Sequence, residues 1–235
     1  MNNLIENLRS ELISNSDETV KKSGERFFRE NVQMYGIKSA KVIQIGKDHY
    51  RNLKDKSKDE ILSLCEDLWK SGIMEESFVA CNWSWYLQKS YDISDFKTFD
   101  RWVNNYVSNW ASCDTLCNHS VGTLVEMYPA LLLKLREWAG SENRWVKRAS
   151  SVSLIVPARK GNFIDDILEI ADILHSDGDD MVQKGYGWML KAASQAHQKK
   201  VFDYVMSRKA TMPRTALRYA IEKMPSELKA QAMAK

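Results

Sequence analysis

The chain has 235 residues, is 44% hydrophobic and carries a formal net charge of +3, an ordinary globular composition able to bury a core in one elongated or two compact domains. No run of roughly 18 apolar residues occurs, and the opening MNNLIENLRSELISNSDE has neither a basic n-region nor an apolar h-region, so neither a membrane span nor a secretory signal is expected. A cytoplasmic protein is the expectation.

Only four prolines and ten glycines punctuate the sequence, and between them apolar residues recur at three and four, the helical period. Leu4, Ile5, Leu8, Leu12 and Ile13 form a first stripe. A second helix is predicted from an N-cap at Asp17 through Val20, Phe27 and Phe28, stopping before Tyr35-Gly36. Ile61 to Trp69 gives a third, ended by Gly72, and Phe78 to Tyr86 a fourth, whose acidic first turn Glu75-Glu76 suits a helix start. Phe99 to Tyr106, Trp110 to Met127, Pro129 to Trp138, Arg144 to Val156, Phe163 to Leu174, Val182 to Ala193, Val201 to Arg208 and Pro213 to Met224 complete the series. About a dozen helices with short connections predict an all-α chain of antiparallel pairs, repeating about every 35 to 45 residues as a HEAT-like α-α superhelix over a single domain, 1–235. The acidic stretch from Asp165 to Asp180 reads as an outer helix and its turn.

The four cysteines, Cys65, Cys81, Cys113 and Cys117, fall in predicted helices. Cys113, Cys117 and His119 have loose metal spacing, but the rest of a tetrahedral set is missing, so reduced structural thiols are expected, with no metal and no cofactor. Charge is uneven. From residue 182 onward there are 11 Lys and Arg against three acids, leaving 23 basic and 28 acidic residues in the first 181. Two readings fit this basic quarter: a footprint for a polyanion, most plausibly nucleic acid, or a solvated helical face.

The most informative pattern is a recurrence of tryptophan beside charge. Trp110 with Asp114, Trp145 with Arg148, and Trp188 with Lys184 and Lys191 are spaced at three or four, so each pair shares a helix face. The tryptophans lie 35 and 43 residues apart, which places the pairs on one concave strip if their helices are successive inner members of a stack. Such a strip suits a cationic or sugar-phosphate ligand. Trp69, Trp83, Trp85, Trp102 and Trp138 read instead as core.

Asn109-Trp110-Ala111-Ser112-Cys113-Asp114, Arg144-Trp145-Val146-Lys147-Arg148, Lys184-Gly185-Tyr186-Gly187-Trp188 and the run from Met212 to Ile221 resemble the AlkD-type DNA alkylation repair proteins, and Tyr35-Gly36-Ile37 is similar to that family's N-terminal segment. The resemblance implies a HEAT-like solenoid gripping duplex DNA in a concave basic groove. In active members it implies a glycosylase for cationic N3- and N7-alkylated purines that works without flipping the base into a pocket, unlike most base-processing enzymes. Trp110, Asp114, Arg148 and Trp188 match the family's catalytic cleft; Trp145 inherits no role. Phe27 stands where some active relatives carry tyrosine. Some paralogues keep the fold and bind DNA structures without excising bases.

The residues fit this chemistry. Alkylation puts a positive charge on the purine, so the base leaves without being protonated, and one carboxylate, Asp114, can stabilise the oxocarbenium-like sugar and orient water. Trp110 and Trp188 offer indole faces, each worth roughly 0.5 to 2 kcal/mol toward cationic character. Arg148 is a candidate phosphate clamp, with a structural ion pair as its other reading. Lys184, Lys191, Arg214 and Arg218 are candidate backbone contacts. No lysine sits in an evident apolar cleft for Schiff-base chemistry, so the expected enzyme is monofunctional, gives an abasic site, and acts as a monomer in the cytoplasm, nucleoid-associated on DNA. Two rivals stand beside it: an inactive paralogue binding branched or distorted DNA, and a helical scaffold binding a peptide.

Overall fold

In the computed structural model, residues 2–234 are described; Met1 and Lys235, the last of the eleven late basic residues, lie outside them. The expected all-α class is observed, with one isolated bridge between Gln33 and Ile73 and no strand among the described residues. The chain divides into two compact units, Met1–Ser120 and Val121–Lys235.

The first unit holds α1 (Asn2–Ser14), α2 (Glu18–Glu25), α3 (Ser39–Tyr50), α4 (Lys58–Lys70), α5 (Met74–Tyr86), α6 (Phe96–Asn105) and α7 (Trp110–Leu116). α1, α3, α5 and α7 pack in succession, and α4 packs against α5. Gly46 sets the closeness of α3 to α5: a β-carbon there would lie 3.3 Å from Val79, and the bare backbone lets Trp83 donate its indole N–H to the Gly46 carbonyl at 2.7 Å. Trp69, Trp83 and Trp102 are buried as expected, and Trp85 is half-buried.

Asp17 caps α2 as predicted, accepting the amides of Thr19 and Val20. α2 nevertheless ends at Glu25 rather than running on through Phe28. Residues 26–38 form an irregular segment moored on α5. The Glu75 carboxylate accepts the backbone N–H groups of Tyr35, Gly36 and Ile37 at 3.0, 2.8 and 3.0 Å, and the Tyr35 hydroxyl donates to Glu76 at 2.6 Å, where Arg9 also pairs. Burial and this carboxylate raise the Tyr35 hydroxyl above its ordinary pKa. Gly36 is required there. Its φ is +86°, and a β-carbon would meet the Asp17 carbonyl at 2.5 Å.

The second unit holds α8 (Gly122–Met127), α9 (Leu132–Ala139), α10 (Arg144–Val152), α11 (Ile155–Arg159), α12 (Ile164–Leu174), α13 (Asp180–Ala193), α14 (Gln198–Arg208), α15 (Arg214–Ala220) and α16 (Ser226–Met233). α10, α13 and α15 pack in succession, with α9 against α10 and with α12 and α14 against α13. This is the paired, two-layer pattern expected of a helical repeat. The predicted helix 144–156 is split in two after Val152, and Phe163, the residue before α12, has a left-handed backbone with φ +60°. All four cysteines are buried and outside any disulfide, and desolvation raises the thiols of Cys65 and Cys81.

Candidate functional site

In the first unit the site is built on α7. The Asn109 side chain accepts the Ser112 amide at 2.9 Å and so starts the helix at Trp110. Trp110 is half-buried and oriented from two sides: its indole N–H donates to the Phe27 carbonyl at 3.3 Å, and the Phe28 ring stacks on it with centroids 5.4 Å apart and planes 23° apart. The irregular segment after α2 thus fixes the indole. Phe27 itself is 72% exposed. Asp114 lies one turn beyond Trp110 on the same helix and is half-buried.

The next turn was not foreseen. The predicted helix 110–127 is interrupted by a π-helical turn, Cys117–Val121, before resuming as α8. Contacts from α5 hold the wider turn open: Ser120 and Ser84 share a buried hydroxyl hydrogen bond of 2.9 Å, and the His119 ring packs on Trp85 with centroids 4.8 Å apart. Desolvation lowers the pKa of His119. The Asn118 carboxamide oxygen is buried with no hydrogen-bond partner among the described residues. Single π turns recur at functional sites.

In the second unit Trp145 and Arg148 of α10 are both buried, 7% and 5% exposed, and Trp188 of α13 is half-buried. The Arg148 guanidinium reaches α13, donating from Nη1 to the Met181 carbonyl at 2.6 Å. Trp145 has the Arg144 guanidinium 4.8 Å over its ring, and Arg144 in turn pairs with Asp179 at 2.8 Å. Trp145 therefore resembles the core tryptophans more than a ligand-facing one, whereas α10 and α13 are neighbours, as the spacing required.

The basic C-terminal quarter separates into two groups once partners are assigned. Lys184 pairs with Asp180 (3.2 Å), Lys191 with Glu222 (2.9 Å), Lys199 with Asp203 (2.6 Å), Lys200 with Asp165 (2.5 Å) and Arg208 with Asp172 (2.6 Å). The acidic stretch 165–180 thus neutralises Lys200 and Arg208 across helices and Lys184 within α13. Lys209 donates to the backbone carbonyls of Gln231 and Ala234, both at 3.2 Å, whereas the side chains of Arg214, Arg218, Lys223 and Lys229 have no ion pair or hydrogen bond among the described residues, and the first three are exposed. Further exposed cations lie in the first unit. Lys22, Arg26, Lys41 and Lys47, on or beside α2 and α3, are exposed and make no side-chain ion pair or hydrogen bond among the described residues, and the Val20 and Thr19 amides, helped by the exposed Lys38, hold the Asp17 carboxyl below its ordinary range. Lys22 and Arg26 at i and i+4, and Lys38 and Lys41 at i and i+3, were the signal available.

No group of three potential metal ligands occurs among the described residues, and no helix among them is long and apolar enough to cross a membrane. A sequence model of the family described as "DNA alkylation repair enzyme" matches residues 8–224. The chain is similar in fold to a solved structure described as a predicted DNA alkylation repair enzyme from Enterococcus faecalis, with a TM-score of 0.80 at 15% identity, covering 90% of this chain and 98% of that one. No curated protein matches.

Proposed function

The chain belongs to the DNA alkylation repair enzyme family, and from that premise we propose that it is a monofunctional DNA glycosylase that removes cationic N3- and N7-alkylated purines from duplex DNA. The observation that carries this reading is the arrangement on α7: an indole held face-on by Phe28 and by the Phe27 carbonyl, with the Asp114 carboxylate one turn further along.

In this mechanism the alkylated purine departs with the electron pair of its bond to C1′, which neutralises its own positive charge, so no acid is needed. The sugar is left with oxocarbenium character. Asp114 supplies the opposing charge and accepts a proton from the water that adds to C1′, and the product is an abasic site. The Trp110 face packs against the deoxyribose and favours the cationic state. Trp188 and Arg148 are assigned to the same reaction by the motifs they sit in. Because Arg148 is buried and engages the Met181 carbonyl, its work is to hold a fixed cationic fork rather than to sweep for phosphate. Arg214 and Arg218 are proposed phosphate contacts; Lys184 and Lys191 contribute only as their carboxylate partners yield.

Release of N7-methylguanine and N3-methyladenine from methylated duplex DNA, measured for the wild type and Asp114→Asn together, tests the reading. Release by the wild type with loss in the variant is expected; no release by either rejects a glycosylase. One observation favours a second reading. Phe27, whose backbone carbonyl accepts the Trp110 indole N–H, carries an exposed ring without a hydroxyl, which suits binding of distorted DNA by stacking without excision; tight binding with no release would select it.

A further inference from the structure

Glycine inside a helix is disfavoured relative to alanine, yet α13 carries two, Gly185 and Gly187, and they face different neighbours. A β-carbon on Gly187 would lie 2.7 Å from Tyr219 Cβ, 2.9 Å from the Ala216 carbonyl oxygen and 3.1 Å from its Cα. Those atoms are backbone or rigidly tied to it, so Gly187 serves the close approach of α13 to α15. A β-carbon on Gly185 would instead meet side chains of α10: Ser151 Oγ at 2.9 Å, Arg148 Cγ at 3.3 Å and Arg148 Nη1 at 3.6 Å. The Ser151 hydroxyl itself donates to the Arg148 carbonyl at 2.9 Å.

The geometry assigns Gly185 as a positioning residue for Arg148. Helical β-carbons tilt toward the N-terminus, so a side chain at 185 covers the turn that carries the carbonyl of residue 181. That carbonyl is the one the Arg148 guanidinium binds. The bare strip at Gly185 lets the arginine stem lie across α13 and reach Met181, and so fixes where its remaining N–H donors point. The inference rests on the reading of Arg148 as part of the proposed site, and it adds a residue that carries no functional group of its own.

The test uses a Ser151→Ala parent, which removes the shortest obstructing contact, into which Gly185→Ala, Arg148→Ala and both together are introduced. Single-turnover base release, duplex affinity and Tm are measured for each. Gly185→Ala is expected to lower the release rate by about 10- to 100-fold with little change in affinity, to lower Tm by no more than Arg148→Ala does, since the lost bond to Met181 is partly offset by the better helix former, and to have no further effect on release once Arg148 is alanine. Gly187→Ala, the structural control, lowers Tm. A Gly185→Ala protein that releases base at the parent's rate overturns the inference while the glycosylase reading stands. Equal losses with and without Arg148, or an equal loss of release in Gly187→Ala, also overturn it. Absence of release by the wild type rejects the glycosylase reading and this inference together.

Discussion

Replacing Glu75 by alanine should be among the most damaging single changes in the first unit. The residue is 1% exposed, and its carboxylate is the acceptor for three consecutive backbone amides, of Tyr35, Gly36 and Ile37, at 2.8–3.0 Å. Truncation strands all three donors. At about 1–3 kcal/mol for each unsatisfied buried group, with water rescuing part of the cost at the less buried Tyr35 amide, the loss comes to about 3–5 kcal/mol. For a chain of this size that corresponds to a Tm lower by roughly 6–20 °C. Glu75→Gln keeps one acceptor oxygen and should lose about half as much. Denaturant unfolding gives the free energies, and hydrogen exchange gives their location: the amides of residues 35–37, protected in the wild type, should exchange fast in Glu75→Ala, while those of α13 should not. A loss under about 1 kcal/mol, or unchanged protection at 35–37, would refute the reasoning.

Three further outcomes follow from the same geometry. Lys58, Ser94 and the Ser94 amide hold the Asp92 carboxyl down to about 2, against 3.8 for the free group. A lowered folded-state pKa stabilises above the ordinary carboxylate range and is lost as pH falls through the folded value, so Asp92→Asn should make stability fall less steeply between about pH 4 and about pH 2. If duplex DNA is bound, Arg214→Ala and Arg218→Ala should each reduce the slope of log K against log salt by about 1. Lys200→Ala and Arg208→Ala, whose charges face Asp165 and Asp172, should leave that slope unchanged; equal effects from both pairs would contradict the partition of the basic residues. Asn118→Leu removes a buried oxygen that has no partner among the described residues, so its Tm should match or exceed the wild type, since exchanging an unsatisfied polar group for an apolar one of similar shape is neutral or stabilising.

What the sequence disclosed and what it withheld follow from the range of the interactions. The helical period, the Asp17 cap and the burial of Trp69, Trp83, Trp102 and Trp138 depend on neighbours within a turn or two, and they were legible. So was the placement of Trp110 and Asp114 on one helix face. α3 and α16 were harder to see because they are polar: SAKVIQIGKDHY buries only Val42, Ile45 and Gly46, and SELKAQAM only Ala232. Phe27 and Phe28 looked like the end of a helix; what withdraws them from it is Trp110, more than 80 residues away in the chain. Glu75 looked like a helix-dipole residue, yet its partners lie 38 to 40 positions earlier. The π turn has no local signature, since Ser84 and Trp85 of α5 hold it. Counting charges overstated the basic quarter for the same reason: Lys200 and Arg208 find their acids 35 and 36 residues back.

The burial of the four cysteines has a consequence for a member of a DNA alkylation repair family. The electrophiles that modify purines also attack thiolates, and a repair protein works where such reagents have been. Cys65, Cys81, Cys113 and Cys117 are each no more than 1% exposed, and the desolvation that raises the Cys65 and Cys81 thiols keeps them in their unreactive protonated form. Packing therefore shields the chain's own thiols from the same alkylating chemistry that gives its family its name.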